Sequence, residues 1–208
     1  MTPSQIQALI DDLKHGLTQR QPRALHRSKR AGILVPILTD GEEPTLLLTR
    51  RADTLNAHRG EVAFPGGMWE EGDEHIAATA LREAEEEVGL PPGSVELIGA
   101  IDDLIAAHSD VMVTPTIGVV RQRPQWKVNP DEVARIFEIP LSALNQADGW
   151  RIEHRSWKNR TIPIYFFDFD EETLWGLSAY ATLLTLQLLS SGSPIDMSHY
   201  DRQVGRLK

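Results

Sequence analysis

Residues 66–90, GGMWEEGDEHIAATALREAEEEVGL, are the stretch from which the fold of this chain is read. Ala77, Leu81, Ala84 and Val88 recur at steps of four, three and four, which makes one apolar stripe on a helix over residues 74–89. Asp73 is placed to cap its start, and Gly89 followed by Pro91-Pro92 ends it. Opposite the stripe, Glu83, Glu86 and Glu87 fall within an arc of about 100°. Like charges so close repel and weaken a helix, and no lysine is interleaved with them, only Arg82. Two readings stand at this point: a solvated acidic face, or oxygen ligands for a hard divalent ion. The glycine-rich loop ahead of the helix, FPGGMWEEG (64–72), favours the ion, because glycine lets backbone come close to a ligand. It lacks the G-x-x-x-x-G-K-[ST] signature of a P-loop.

Outward from this helix the chain is rich in strands. AGILVPILTD (31–40) and PTLLLTRR (44–51) flank Asp40-Gly41 and predict a hairpin. A polar loop, RADTLNAHRGE (51–61), leads into a short strand, VAFPGG (62–67). Further strands are expected at VELIGAI (95–101), MVTPTIGVV (112–120) and ARIFEIPL (134–141), then a hairpin from WRIEHRSW (150–157) and TIPIYFFDF (161–169). Ile6, Leu9, Ile10, Leu13 and Leu17 mark an amphipathic helix over residues 3–17. A C-terminal helix is read over about 172–191. The uncharged run 173–195 contains Thr173, Ser178, Thr182, Thr185 and Gln187, so it reads as a buried helix rather than a membrane span. The basic segment RQPRALHRSKR (20–30) reads as a solvated connector. The organisation expected is an N-terminal helix and connector (1–30), one α/β domain with a mixed sheet (31–192) and an irregular tail (193–208).

The charge balance narrows the partners. Against 21 Lys+Arg stand 30 Asp+Glu, a net charge of −9, which repels polyanions and argues against nucleic acid. The absence of cysteine excludes disulfides, thiolate catalysis and Cys-ligated zinc. MTPSQIQALIDDLKHGL has no basic leader followed by an apolar block, so no signal peptide is read there and a cytoplasmic protein is expected. Monomer and homodimer both stay open.

Residues 66–90 resemble the Nudix box, G-x5-E-x7-R-E-U-x-E-E-x-G-U with U aliphatic. Arg82, Glu83, Ala84, Glu86, Glu87, Gly89 and Leu90 match in order, and Glu74 lies eight residues before Arg82. Gly67 precedes Glu74 by seven positions rather than six, so Asp73 rivals Glu74 for the glutamate position. The resemblance implies an α/β/α sandwich around a mixed β-sheet, here with an extra N-terminal helix and a long C-terminal helix. It also implies a hydrolase of phosphoanhydride bonds that uses Mg²⁺ or Mn²⁺. Glu83, Glu86 and Glu87 would be the metal ligands, Glu83 and Glu87 would also act in catalysis, and Arg82 would orient the glutamates.

A second stretch, LLTRRADTLNAHRGEVAFPGG (47–67), resembles the motif of coenzyme A pyrophosphatases, LLTxR[SA]x3Rx3Gx3FPGG. Leu47, Leu48, Thr49, Arg51, Ala52, Gly60 and Phe64 to Gly67 match, whereas Asn56 stands where the motif has arginine. Val113-Thr114-Pro115, Asp131-Glu132-Val133 and the WGLSA from Trp175 are similar to that branch as well. The substrate implied is coenzyme A or a derivative, cut to 3′,5′-ADP and 4′-phosphopantetheine; ADP-ribose or a dinucleotide is the alternative. A non-catalytic sensing module would be expected to have lost metal glutamates, and none is lost. Arg50, Arg51, His58 and Arg59 suit phosphate oxygens, with Gly66 and Gly67 lining the substrate. Their other reading is a solvated basic loop. Glu132 is a candidate base or extra ligand, or else a turn residue after Asn129-Pro130. His108 reads as a loop residue. Trp126, Trp150, Trp157, Tyr165 and Phe166 include candidates for stacking on a base, set against ordinary packing.

Overall fold

The structure is a computed structural model that describes residues 1–20, 22–55, 58–106, 109–157 and 160–197. Its elements run α1 (Pro3–Arg20), β1 (Arg30–Leu38), β2 (Thr45–Arg51), β3 (Val62–Ala63), β4 (Gly66–Met68), α2 (Ile76–Val88), β5 (Val95–Ala100), β6 (Leu104–Ala106), β7 (Val111–Val120), β8 (Val133–Pro140), α3 (Leu141–Leu144), β9 (Trp150–Trp157), β10 (Arg160–Phe169), β11 (Glu172–Trp175) and α4 (Gly176–Leu186). The expected hairpin of β1 and β2 forms, but it closes on only two register pairs, Ile37↔Leu46 and Leu38↔Thr45. Beyond these the strands part. β1 continues parallel to β7 from Arg30↔Met112 to Leu38↔Val120, and β2 continues antiparallel to β8.

Residues 62–68 fill the wedge between the parted strands. β3 pairs with the end of β2 through Thr49↔Ala63 and Arg50↔Val62. β4 pairs with the start of β1 through Ala31↔Met68, Gly32↔Gly67 and Ile33↔Gly66. Between them the Leu34 N–H donates to the Pro65 carbonyl at 2.8 Å. The segment thus supplies partners for backbone groups that the divergence leaves open. Gly66 is required by close approach: a Cβ there would lie 2.4 Å from the Gly32 carbonyl oxygen and 2.6 Å from the Ile33 Cα. The expected single strand over 62–67 is therefore two short strands joined at Pro65, one on each half of the split sheet.

Alternation along the strands places an apolar layer on each face. Leu34, Leu38, Leu47 and Val120 meet Ala80, Ala84 and Val88 of α2. Val35, Ile37, Leu46, Leu48, Ile117 and Val119 face the other way, onto Ile6, Ile10 and Leu13 of α1 and Ala181 and Leu184 of α4. These side chains are buried, and each leucine hidden in this way contributes on the order of 1.5–3 kcal/mol. The result is the expected α/β/α sandwich around a mixed sheet. Residues 1–20 and 31–192 share one core, since α1 packs in the same cluster as the sheet.

Three sequence expectations need correction. The C-terminal helix does not begin at 172: Glu172–Trp175 is β11, paired with β10 from Phe166↔Trp175 to Phe169↔Glu172. α4 starts only at Gly176, whose φ of 63° turns the chain out of the strand. Asp73 does not cap α2. His75 does, its Nδ1 accepting the Ala78 N–H at 3.0 Å, because Asp73 is engaged by Arg82. The basic segment is no free connector either: Asp102 accepts from Arg23 N–H at 3.0 Å and Asp103 from Leu25 N–H at 2.7 Å. Asn56, His108 and residues 198–208 lie outside the described residues. Among those described, no helix is long and apolar enough to cross a membrane.

Candidate active site

α2 starts just beyond the wedge and carries Glu83 and Glu87 one turn apart on one face. Gly89 ends it in the left-handed region at φ 71°, with Gly89 N–H on the Glu85 carbonyl at 2.9 Å and Leu90 N–H on that of Ala84 at 3.2 Å. The Gly89 bond is the 5→1 closure of an αL cap. The loop between β7 and β8 docks on the same helix end, Lys127 N–H on the Val88 carbonyl at 3.0 Å and Asn129 N–H on the Glu87 carbonyl at 2.9 Å. It delivers Glu132, whose carbonyl accepts the Ala52 N–H at 2.8 Å and whose carboxylate accepts from Asn129 Nδ2 at 3.2 Å. One carboxylate oxygen from each of Glu83, Glu87 and Glu132 then lies within 4.8 Å of the others.

The strand side completes the enclosure. Gly66 N–H donates to Glu87 Oε2 at 3.3 Å, and the Arg51 guanidinium stands 3.9 Å from Glu87 Oε1. Gly67 lies against Glu83: a Cβ there would sit 2.4 Å from its Cδ and Oε1. Burial pushes the Glu87 carboxyl up to about 8, against the pull of Arg51, with Glu83 and Glu132 adding to the rise. Glu83 is also raised, first by burial, with Arg82 opposing. Three crowded carboxylates beside Arg51 and Arg82, the second shared with Asp73 and Glu86, are short of positive charge, and all their donors are hard oxygens. That set fits Mg²⁺ or Mn²⁺ and would hold it through Glu83, Glu87 and Glu132.

Arg82 ties the loop to the helix. Its Nε reaches Asp73 Oδ1 at 3.2 Å, one terminal nitrogen reaches the Met68 carbonyl at 3.2 Å, and the other lies 3.0 Å from Glu83 and 3.1 Å from Glu86. Asp73 also accepts from Thr79 Oγ1 at 2.8 Å. The hydrogen bond from Arg82 is the leading cause that pulls its carboxyl down to about 2. Glu74 is exposed, so Asp73 makes the bonds at this point of the motif.

Among the residues singled out from sequence, Glu83, Glu87, Glu132, Arg51, Gly66 and Gly67 come together, with Arg82 on the flank. Glu86 is 54% exposed and outside the trio, against Arg82. Arg50 points away from Arg51, toward Asp53 at 3.7 Å and Glu172 at 3.6 Å. His58 turns to Glu61 at 2.9 Å, and Arg59 is exposed. Of the aromatics, Trp150 is buried on Phe167 and Tyr165 on Tyr180. Trp126 packs on the α2 cluster, Phe166 stacks on Trp175, and the Trp157 side chain lies outside the described residues. The spacing from Gly67 makes Asp73 a rival to Glu74 in the motif but does not show its bond to Arg82, and Asn129 carries no sequence signal for its hold on Glu132.

Over residues 28–161 the sequence matches the NUDIX domain, and the chain belongs to that family. It is similar to a Pectobacterium atrosepticum protein described as uncharacterized Nudix hydrolase NudL, 39% identical over 175 residues, which are 83% of this chain and 88% of that one. A protein of the same description from Photorhabdus laumondii is 40% identical over 157 residues, 76% of this chain and 83% of that one. Among solved structures, a C. elegans Ap4A hydrolase in a binary complex superposes with a TM-score of 0.47 at 17% identity, covering 54% of this chain and 80% of that one. The NUDIX domain of Shewanella oneidensis NrtR with ADP ribose gives 0.43 at 18% identity, covering 68% and 85%. Scores this low carry no argument about substrate.

Proposed function

We propose that this protein is a Mg²⁺- or Mn²⁺-dependent pyrophosphohydrolase of coenzyme A or its derivatives. Water adds across the P–O–P bridge, and the products are 3′,5′-ADP and 4′-phosphopantetheine or its acyl form. The observation that carries the reading is the convergence of Glu83, Glu87 and Glu132 within 4.8 Å, beside Arg51 and the Gly66-Gly67 backbone. A divalent ion on these carboxylates, with Glu86 as a further ligand from the exposed side, would neutralise the diphosphate oxygens and acidify a bound water. Arg51 forks onto a phosphate oxygen pair. Arg82 holds Glu83 and Glu86 in place through its grip on Asp73 and the Met68 carbonyl. Glu132, fixed by Asn129, is the carboxylate that accepts a proton from the attacking water or completes the ligand set.

The choice of coenzyme A rests on residues 47–67 and on Arg51 among them. We assign 31–192 as the catalytic unit, with 1–30 bracing it and 193–208 as a tail, acting in the cytoplasm on a small molecule rather than on nucleic acid. The test is kcat/KM for coenzyme A, dephospho-coenzyme A and ADP-ribose in parallel. Preference for coenzyme A supports the reading. A higher kcat/KM for ADP-ribose overturns the substrate and leaves a hydrolase of another nucleoside diphosphate derivative.

A further inference from the structure

The antiparallel sheet β9–β10–β11 has two unlike faces. Trp150, Tyr165, Phe167 and Leu174 point into the core. On the opposite face Arg151, Phe166 and Trp175 are direct cross-strand neighbours, one per strand. Phe166 and Trp175 stack with centroids 6.0 Å apart at an interplanar angle of 6°. The Arg151 guanidinium lies 4.3 Å over the Phe166 ring and that of Arg155 5.8 Å from it. Between this face and the end of β2, at Arg50 and residues 60–62, is a cleft of about 430 Å³.

The charges in the cleft are paired, but unequally. Glu172, 6% exposed, is bound by Arg135 at 2.9 Å and approached by Arg50 at 3.6 Å. Arg50 Nε is nevertheless buried with no hydrogen-bond partner among the described residues, an unfavourable state for a buried donor. Arg151 and Arg155 both close on the Glu153 carboxylate, and all three side chains are well exposed, at 50%, 57% and 39%. Ion pairs this open to water are weak, so Glu153 is a displaceable anion between two guanidiniums held by an aromatic shelf. A phosphate dianion has more charge and more acceptor oxygens for two forks. Glu61 and Glu171 also line the cleft and disfavour anions that lack such a fork contact.

We propose that this cleft is a phosphomonoester subsite in which Arg151 and Arg155, with Arg50 facing them, grip a phosphate on the nucleoside of the substrate cut at Glu83, Glu87 and Glu132. The proposal rests on the function argued above for the part played by the substrate. β2 links the two places: Arg51 reaches Glu87 while Arg50, the residue before it, lines the cleft. Neighbouring side chains on a strand point to opposite faces, so the substrate that serves both must be an extended molecule passing round the end of β2.

Calorimetry on the full chain in EDTA, with 3′,5′-ADP and 5′-AMP as probes, tests the subsite without turnover. 3′,5′-ADP is expected to bind at least ~10-fold tighter, the weight of one charge-assisted hydrogen bond. Arg151→Gln/Arg155→Gln removes that preference, and Glu153→Gln, which deletes the carboxylate shared by both arginines and leaves Asp168 at 3.9 Å from Arg151, increases it by about 3-fold or more. The second variant moves binding in the direction opposite to damage. Equal affinity for both probes, or a preference untouched by either variant, overturns the subsite. The KM ratio of dephospho-coenzyme A to coenzyme A should collapse toward unity in the double variant. Cleavage of coenzyme A with an unchanged ratio defeats the subsite alone; selective 3′,5′-ADP binding by a protein that leaves coenzyme A intact supports the subsite and defeats the function.

Discussion

Gly67→Ala separates the site from the fold more cleanly than any charge change. The added methyl would stand 2.4 Å from Glu83 Cδ and Oε1, where ordinary contact begins near 3.4 Å, so the carboxyl must retreat by 3.4 − 2.4 = 1.0 Å. What yields is the end of a flexible side chain rather than backbone, so the fold should hold. A displacement of about 1 Å at a catalytic group costs on the order of 10²-fold in rate. We therefore expect kcat/KM to fall by about that factor and the half-saturating Mg²⁺ to rise, with the thermal midpoint close to wild type. Gly66→Ala is the contrasting case. Its Cβ meets the Gly32 carbonyl at 2.4 Å and the Ile33 Cα at 2.6 Å, both backbone of β1. It should lower stability by roughly 1–3 kcal/mol, as overpacking does. The assays are turnover against Mg²⁺ concentration and thermal melts of both variants. Wild-type kcat/KM and metal response in Gly67→Ala would refute the placement of Glu83 in the site.

Four further outcomes follow from the same geometry. Glu87→Gln, or EDTA added to wild type, should lower kcat by at least ~10²-fold with the fold intact by circular dichroism; full activity in either excludes the metal site. Arg51→Ala should raise KM for coenzyme A by ~10- to 100-fold, from the loss of one charge-assisted bond, and Arg51→Lys should restore only part; steady-state kinetics showing no change would remove Arg51 from substrate binding. Asp73 is pulled from 3.8 to about 2, first by its hydrogen bond from Arg82, so the stability it confers is present above about pH 4 and lost as pH falls toward 2, worth about 2 kcal/mol. Asp73→Asn should cost about that much in urea unfolding at neutral pH and Glu74→Gln under ~0.5 kcal/mol, and the reverse ranking contradicts the assignment. Glu87 is raised from 4.5 to about 8 by burial, so between those values the ion-free fold keeps a proton that the unfolded chain has released. Its stability therefore falls as pH rises through that window. Ion binding expels the proton, so Mn²⁺ affinity should climb by up to ~10-fold per unit until about pH 8 and then level off; a flat calorimetric profile opposes this.

The parts of the molecule legible in sequence are those written in local periodicity. The stripe Ala77–Leu81–Ala84–Val88 and the Gly89 stop mark α2 to within two residues at either end, and alternation marks the strands. What local pattern does not encode is how strands part. Nothing in residues 31–51 announces that β1 leaves β2 after two pairs, yet that divergence makes the wedge in which Gly66 and Gly67 meet Glu87 and Glu83. Two neighbouring arginines on a strand point to opposite faces, so Arg50 and Arg51 were never able to serve one phosphate group side by side. Asp73 was read as a cap because caps are local; its actual partner lies nine residues on, across the helix turn. The apolar run from Thr173 concealed a strand because Leu174 is buried in either conformation, and only pairing with β10 decides it.

Hydrolysis within the coenzyme A diphosphate is read out by mass analysis of coenzyme A after incubation with the protein and Mg²⁺ in ¹⁸O-labelled water. The expected products are 3′,5′-ADP and 4′-phosphopantetheine, one of them carrying a single ¹⁸O atom, with no cleavage when EDTA is present. Intact coenzyme A alongside Mg²⁺, or release of inorganic phosphate to leave dephospho-coenzyme A, would contradict it.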